Sequence, residues 1–350
     1  MRVVGLDIGG ANLKGCGLTL DDSGVPTDLA FRTESFPIWQ RERLDLWNLI
    51  ANTVYELTGT SQAPELVSVV MTAELSDTFQ TKREGVTTIA KGVQRTLRNI
   101  PLLFPDINLE LLSFEEVLND PLRVAAANWP VLAWTVGRGI PNCILIDVGS
   151  TTTDIIAIKE GVPITRSRSD TSRLMSGELV YTGALRTNLS AILREIELDG
   201  VSCRVSSEYF ATSADVHLVL GHIAKHQYTN DTADGRGKSI EECKARLARV
   251  VCGDIETVSE SQIFDIARQA WTQQLRDILS AVFQVCALHD MEPTEQVYVF
   301  SGIGAAFLGR SALASLDIKE GKHLHDLLGP DGATAATAFA AALYAARNWR

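Results

Sequence analysis

Residues 147–155 read DVGSTTTDI. They follow the apolar run Cys143-Ile144-Leu145-Ile146, so a buried strand ends in an acid, a glycine and the hydroxyls of Ser150, Thr151, Thr152 and Thr153. A glycine directly after a buried strand lets the backbone turn tightly and lets an anion approach its N–H groups. The hydroxyls add donors without adding charge. Asp147, at the strand end, is placed to hold a hydrated Mg²⁺ against phosphate oxygens. The competing reading is a polar hairpin whose aspartates cap turns.

The same pattern occurs once before. Residues 6–15 read LDIGGANLKG, and strand, D-x-G, strand, turn, strand starts near residue 3 and again near residue 143. This is a weak internal duplication. It pairs Asp7 with Asp147 as metal ligands, and Gly9 and Gly10 with Gly149 and the hydroxyl run as phosphate-binding loops. Asn12 and Lys14 alternate with Gly10 and share its face, so both are candidates for phosphate contact. A late apolar run, 296–300, leads into Ser301-Gly302-Ile303-Gly304, which adds Gly302 and Gly304 to the set. Two such loops facing each other would clamp a diphosphate or triphosphate in a cleft between two domains.

Working outward, strands are expected at 3–8, 13–20 and 29–36, with Asp21-Asp22-Ser23-Gly24 as a hairpin turn. A helix is expected at 43–57, a buried strand at 66–71, a helix at 85–100 stopped by Pro101, and a helix at 124–136 kinked or broken by Pro130. In the second half, strands are expected at 143–146, 153–159, 162–166 and 296–300, and helices at 171–179, 263–288 and 332–347. The division that follows is a first domain over 1–140 and a second over 141–350. The second carries a helical insertion around 171–290, and the C-terminal helix is able to return to the first.

The chain has 350 residues, 45% of them hydrophobic and 21% charged, with a net charge of −11 spread over both halves. That suits a folded protein of two domains. It disfavours general binding to nucleic acid or anionic membranes, so an anionic ligand must be held by local amides or a metal ion. The cysteines, at 16, 143, 203, 243, 252 and 286, form no C-x-x-C pair, which disfavours a zinc ribbon or dithiol site. Cys16 and Cys143 read as small buried hydrophobes. The N-terminus does not read as a signal peptide, and no apolar stretch is long enough for a membrane span. A reducing, cytoplasmic compartment is expected.

The segments DIGGANLKG, DVGSTTTDI and FSGIGAAFLG resemble the phosphate and nucleotide-side loops of the acetate and sugar kinase, actin-like ATPase superfamily. That resemblance implies an α/β fold of two ribonuclease-H-like domains around a central cleft. The Gly-Ser-Thr-Thr-Thr-Asp form is most similar to the hydantoinase and oxoprolinase branch. Within it, GANLKG at 10–15, MTAELSDTF at 71–79, AAANW at 125–129, DVGSTTTDIIAI at 147–158, FATSADVHLVLG at 210–221 and TADGRGK at 232–238 resemble the tetrahydromethanopterin-linked one-carbon pathway proteins, relatives of a methanofuran biosynthesis synthase.

The resemblance implies a transferase that joins an aminomethylfuran-methyl diphosphate to the phenol oxygen of γ-glutamyl-tyramine and releases diphosphate. A site that cradles ATP phosphates can equally stabilise a diphosphate leaving group. The loops alone fit two other classes as well. One is an ATP-dependent small-molecule kinase or hydantoinase/oxoprolinase-like amidohydrolase; the other is a nucleotide-sensing module. The expected partners are small-molecule diphosphate and phenolic substrates, and the expected cofactor is Mg²⁺.

Glu74 follows a buried strand and is a base candidate, against the plainer reading of a helix N-terminal carboxylate. Asp154 either acts as base or pairs with Lys14, and Lys14 is itself a catalytic candidate. Lys238, in the charged loop with Asp234 and Arg236, is a candidate to close on diphosphate. Arg168 and Arg173 are weaker candidates for a substrate carboxylate. His217, His222 and His226 have a superficial metal spacing, but the glutamate of the zincin motif is missing, so they read as helix-surface histidines. No Walker motif is present, and Gly302-x-Gly304 lacks the dinucleotide-binding spacing.

Overall fold

The computed structural model describes residues 1–40, 42–59, 63–318 and 320–349. The chain separates into two compact units. The first contains Met1–Cys143, Ile158–Ser169 and the C-terminal segment from Leu324; the second contains Ile144–Ala157 and Asp170–His323.

In the first unit the strands are β1 (Arg2–Ile8), β2 (Asn12–Leu20), β3 (Pro26–Ser35), β4 (Leu66–Met71), β5 (Leu102–Pro105) and β6 (Leu111–Leu112), in sheet order β3-β2-β1-β4-β5-β6. β1 runs antiparallel to β2 and parallel to β4. The Asp21 carboxylate accepts from Ser23 N and Val25 N, both at 2.9 Å, which fixes the expected hairpin turn. Helices α1 (Arg43–Thr58), α2 (Lys82–Thr96), α3 (Phe114–Asn119) and α4 (Asn128–Gly139) complete this part of the chain. Leu46, Ile50 and Val54 of α1, with Val86, Ile89 and Val93 of α2, pack with Leu6, Ile8, Val67 and Val69 of the sheet in one core.

The second sheet repeats that order with β7 (Cys143–Val148), β8 (Thr153–Lys159), β9 (Val162–Pro163), β10 (Leu179–Val180), β13 (Val297–Ser301) and β14 (Glu320–His323). Its path is β10-β8-β7-β13-β14, with β9 paired to the far end of β8. β1 lies between antiparallel β2 and parallel β4, and β7 likewise lies between β8 and parallel β13. The duplication read from two D-x-G motifs is thus a duplication of topology. Between β8 and β13 the chain inserts α5 (Asp170–Ser176), α6 (Leu189–Ile192), the hairpin β11 (Glu195–Leu198) and β12 (Val201–Arg204), α7 (Ser213–Val219), α8 (Ile240–Arg249) and the long α9 (Glu260–Leu288).

The C-terminal segment forms α10 (Leu324–Thr334) and α11 (Ala336–Asn348), two helices where one was expected. Ala338, Ala342 and Ala345 of α11 pack with Val3, Cys16, Leu18 and Leu66, covering the second face of the first sheet. Gly5 makes this approach possible, since a Cβ there would overlap Ala338 O.

Other boundaries moved for local reasons. α2 and α9 begin three residues early because the Thr81 and Ser259 hydroxyls accept from Glu84 N and Gln262 N. The expected helix at 124–136 is instead a turn at Pro121–Val124 followed by α4. Pro130 is the third residue of α4, where its missing N–H has no intrahelical acceptor to lose, so it does not kink the helix. Among the described residues no helix is long and apolar enough to cross a membrane.

Candidate functional site

The two D-x-G loops share one hydrogen-bond design. Gly9 N donates to Asn12 O at 2.9 Å, and Gly149 N donates to Thr152 O at 2.9 Å. Each bond folds the end of the first strand back into the second.

In the first unit, Asp7 and Lys14 face each other across the β1–β2 ladder. Lys14 Nζ is 3.9 Å from Asp7 Oδ2. Asp7 is buried, and its Oδ1 has no hydrogen-bond partner among the described residues. Burial pushes its pKa up and Lys14 opposes the rise. Gly10 opens outward: a Cβ there would meet only the Trp39 ring, at 3.8 Å. Glu74 lies in the turn Ala73–Leu75 after β4, beside the loop through Thr72 N to Ile8 O at 3.0 Å. It is only 1% exposed and packs against Gly85 of α2.

In the second unit, the loop after β7 is braced from behind. Ala184 N donates to Gly149 O at 2.9 Å, and Leu185 N and Arg186 N both donate to Ser150 O, at 3.0 and 2.9 Å. Gly183 packs flat on the loop, where a Cβ would come within 2.6 Å of Thr151 backbone atoms. Of the four hydroxyls, that of Thr153 is buried and donates to Thr182 O at 2.8 Å, so it braces the loop and does not face a ligand. Ser150, Thr151 and Thr152 stay partly exposed.

Arg186 was missed by sequence reasoning. Its Nη1 donates to Thr151 Oγ1 at 3.2 Å, placing a guanidinium against the hydroxyl run. It is 35 residues further along in an unremarkable GALRTN segment, so no local pattern marks it.

Gly302 and Gly304 stand beside Asp147. Gly302 has φ +83°, and a Cβ there would overlap Val148 O and come within 2.9 Å of Asp147 Oδ1. Gly304 N donates to Val148 O at 3.0 Å. The third glycine loop is therefore fastened to the second.

Other candidates have internal partners. Asp154 pairs with Arg173 Nη2 at 2.8 Å. Burial raises its pKa, Arg173 lowers it, and Asp170 adds to the rise. Arg173 is itself buried and donates to Glu178 O, so it is not presented to a substrate carboxylate. Lys238 Nζ donates to Tyr228 O at 2.7 Å and sits over the Tyr228 ring. Asp234 pairs with Arg246 at 3.0 Å, and Arg246 also binds buried Asp215 at 2.8 Å. Arg246 thus ties the TADGRGK loop to the SADVH segment, an internal brace in the loop that was a candidate to close on diphosphate.

The histidines also depart from expectation. His217 is fully buried in α7, His222 is half-buried in the turn after it, and only His226 is exposed. Among the described residues, no group of three or more His, Cys, Asp or Glu is arranged to hold a metal ion.

The hydantoinase/oxoprolinase family model matches residues 65–348. A (4-{4-[2-(gamma-L-glutamylamino)ethyl]phenoxymethyl}furan-2-yl)methanamine synthase of Methanocaldococcus jannaschii is 36% identical over 343 residues, covering 98% of this chain and 97% of its own. A protein of the same name from Methanococcus vannielii is 37% identical over 175 residues, covering 50% of this chain and 76% of its own. Nucleotide-free acetone carboxylase superposes with a TM-score of 0.56 at 11% identity, covering 98% of this chain and 70% of the other, a likeness of fold alone. The fold class is the expected one, α/β of the ribonuclease-H-like, actin-like ATPase kind. With the family model spanning most of its length and a relative matched end to end, the chain belongs to the hydantoinase/oxoprolinase family.

Proposed function

We propose that this protein is a synthase of methanofuran biosynthesis. It joins the phenol oxygen of γ-glutamyl-tyramine to the methylene of an aminomethylfuran-methyl diphosphate and releases diphosphate. The observation that carries the reading is the 36% identity to the M. jannaschii synthase over nearly the full length of both chains. The name of that relative specifies a phenoxymethyl ether on a furan. The new bond is aryl oxygen to methylene carbon. The bond broken joins that carbon to the diphosphate oxygen, which leaves with the electron pair.

This chain's residues suit a diphosphate leaving group. Arg186, the Ser150, Thr151 and Thr152 hydroxyls and the loop amides of the second unit supply donors for the charge that develops. In the first unit, Lys14 is a partly exposed cation beside Asp7. Gly9, Gly10, Asn12, Gly149, Gly302 and Gly304 shape the loops that present these groups. A Mg²⁺ ion fits the reading, because Asp7 has a buried carboxylate oxygen with no hydrogen-bond partner among the described residues. Asp7 in the first unit and Asp147 in the second are each proposed as a ligand within their own unit, where an ion would neutralise charge on phosphate oxygens. The protein is proposed to act in the cytoplasm, on small-molecule substrates.

The test is a mass-spectrometric assay of purified protein with Mg²⁺, γ-glutamyl-tyramine and the aminomethylfuran diphosphate, beside an ATP-only control. Condensed ether with one diphosphate released per ether supports the reading. ATP hydrolysis without ether would replace it with a kinase-like or amidohydrolase activity.

A further inference from the structure

Behind the second phosphate loop, a chain of side chains fixes the protonation of two histidines. Gln274 of α9 donates through Nε2 to Thr182 Oγ1 at 2.8 Å and to Gly183 O at 3.0 Å. A carbonyl oxygen can only accept, so the amide orientation is determined. Gln274 Oε1 is therefore the acceptor toward His217 Nε2, at 3.1 Å, and His217 carries its proton on Nε2. His217 is fully buried, and burial holds its pKa down to about 3, so it is neutral and its Nδ1 is a bare acceptor. His222 Nδ1 lies 3.1 Å from that atom and must be the donor. The proton of neutral His222 is thereby placed on Nδ1, leaving a lone pair on Nε2. The hydrogen bond that His222 makes among the described residues is through Nδ1, not Nε2.

The surroundings of that lone pair are aromatic. The His222 ring stacks on Phe307 at 5.3 Å between centroids and 20° between planes. It meets Trp271 at 4.8 Å. Trp271 Nε1 donates to the backbone carbonyl Phe307 O at 2.7 Å, which fastens the indole to the chain that carries the Phe307 ring. All three rings are partly exposed. Phe307 follows the Gly302-Gly304 loop, and Gln274 braces Gly183 behind the Ser150-Thr151 loop. The cluster is therefore anchored to both glycine loops of the second unit. A neutral nitrogen acceptor among aromatic faces suits a neutral aromatic donor, such as a phenol, better than an anion.

We infer that His222, Trp271 and Phe307 form the subsite for the phenol ring, with His222 Nε2 accepting the phenolic proton as the aryl oxygen attacks the furan methylene. The assignment rests on the proposed ether-forming reaction. The proton passes from phenol oxygen to His222 Nε2, the oxygen pair forms the ether bond, and the carbon–oxygen pair leaves with diphosphate. His217 and Gln274 are positioning residues that hold the tautomer.

Two measurements test this. In the first, nitrogen NMR of histidine-labelled protein is recorded as γ-glutamyl-tyramine is added without any diphosphate. The His222 Nε2 resonance should start at the position of an unprotonated nitrogen and move on binding. No movement at saturating ligand, or an initially protonated Nε2, overturns the assignment. In the second, His222→Gln and His222→Ala are assayed with γ-glutamyl-tyramine and with a ring-fluorinated analogue of lower phenol pKa. Both variants should lose about 100-fold in kcat/KM with the ordinary phenol, and much less with the fluorinated one. Equal losses with both phenols, or no loss, overturn the base role. Wild type that binds the phenol yet forms no ether overturns the proposed reaction, and the base role with it, while leaving the subsite standing on the NMR result.

Discussion

Arg173 Nη2 and the Asp154 carboxylate meet at 2.8 Å, with the arginine almost wholly buried. The same nitrogen donates to Glu178 O at 2.9 Å. The pair pins α5 to β8 next to the strand β10, so its effect is on the edge of the second sheet. Removing only the cation leaves a buried carboxylate uncompensated, which costs about 3–5 kcal/mol. Arg173→Met should lower stability by that order in urea unfolding, and the double change with Asp154→Asn should recover part of the loss. Asp154→Asn alone should keep ether formation within about tenfold of wild type. A folded Asp154→Asn with no turnover would return Asp154 to the catalytic group.

Asp7 stores an electrostatic penalty. Its pKa is raised above 3.8 by burial, so the folded state holds the proton more tightly than the unfolded chain. The stability this gives is present below 3.8 and is lost as pH rises through the higher folded value. Above 3.8 the buried carboxyl therefore costs stability relative to a neutral side chain at the same place. Without Mg²⁺, Asp7→Asn should melt above wild type at pH ~7, and the gap should close at pH ~3. Mg²⁺ should raise the melting temperature of wild type and leave the variant unmoved. Ether formation should be lost in the variant, the cost of a stabilising change at a functional site.

Arg186 tests whether the second loop binds diphosphate through a fixed fork. Arg186→Ala should lower kcat/KM for the furan diphosphate by about 100-fold, in the range for loss of one preorganised donor. Arg186→Lys should recover only a small part, since a lysine offers a point charge without the planar geometry. The KM for the phenol should stay near its wild-type value in both.

Gly302 is held at φ +83° with no room for a Cβ beside Val148 O. Gly302→Ala should cost about 1–3 kcal/mol of stability through backbone strain and overlap. Because Asp147 lies directly beside it, the same change should weaken diphosphate binding, read by calorimetry, by more than the fall in stability accounts for.

The parts of this protein legible in its sequence are those encoded locally. Asp7 and Asp147, each followed two residues later by glycine, carry the duplication, and the strands at Leu66–Met71 and Thr153–Lys159 end where their residue patterns end. Helix starts were misplaced where a hydroxyl cap lies upstream of the apolar stripe, as at Thr81 and Ser259. The candidate site was half visible. Loop glycines announce themselves by position. Whether a charged side chain faces a ligand depends on partners far along the chain, and sequence does not show them. Lys238 turned out to serve Tyr228, Thr153 to serve Thr182, and Arg173 to serve Asp154. Arg186 and the His217–His222 pair gain their meaning only from contacts 35 and 57 residues away, to Thr151 and Gln274.

The helix that covers the second face of the first sheet is α11, the last of the described elements, while the sheet it covers is complete by Leu112. During synthesis, Val3, Cys16, Leu18 and Leu66 must wait for more than two hundred further residues to be made before Ala338 and Ala342 reach them. The nascent first unit therefore carries an uncovered apolar sheet face throughout the making of the second. A ribosome-stalled chain ending before residue 336 should bind chaperones through that face, and truncating only the final helix should leave a protein that aggregates with an intact second unit.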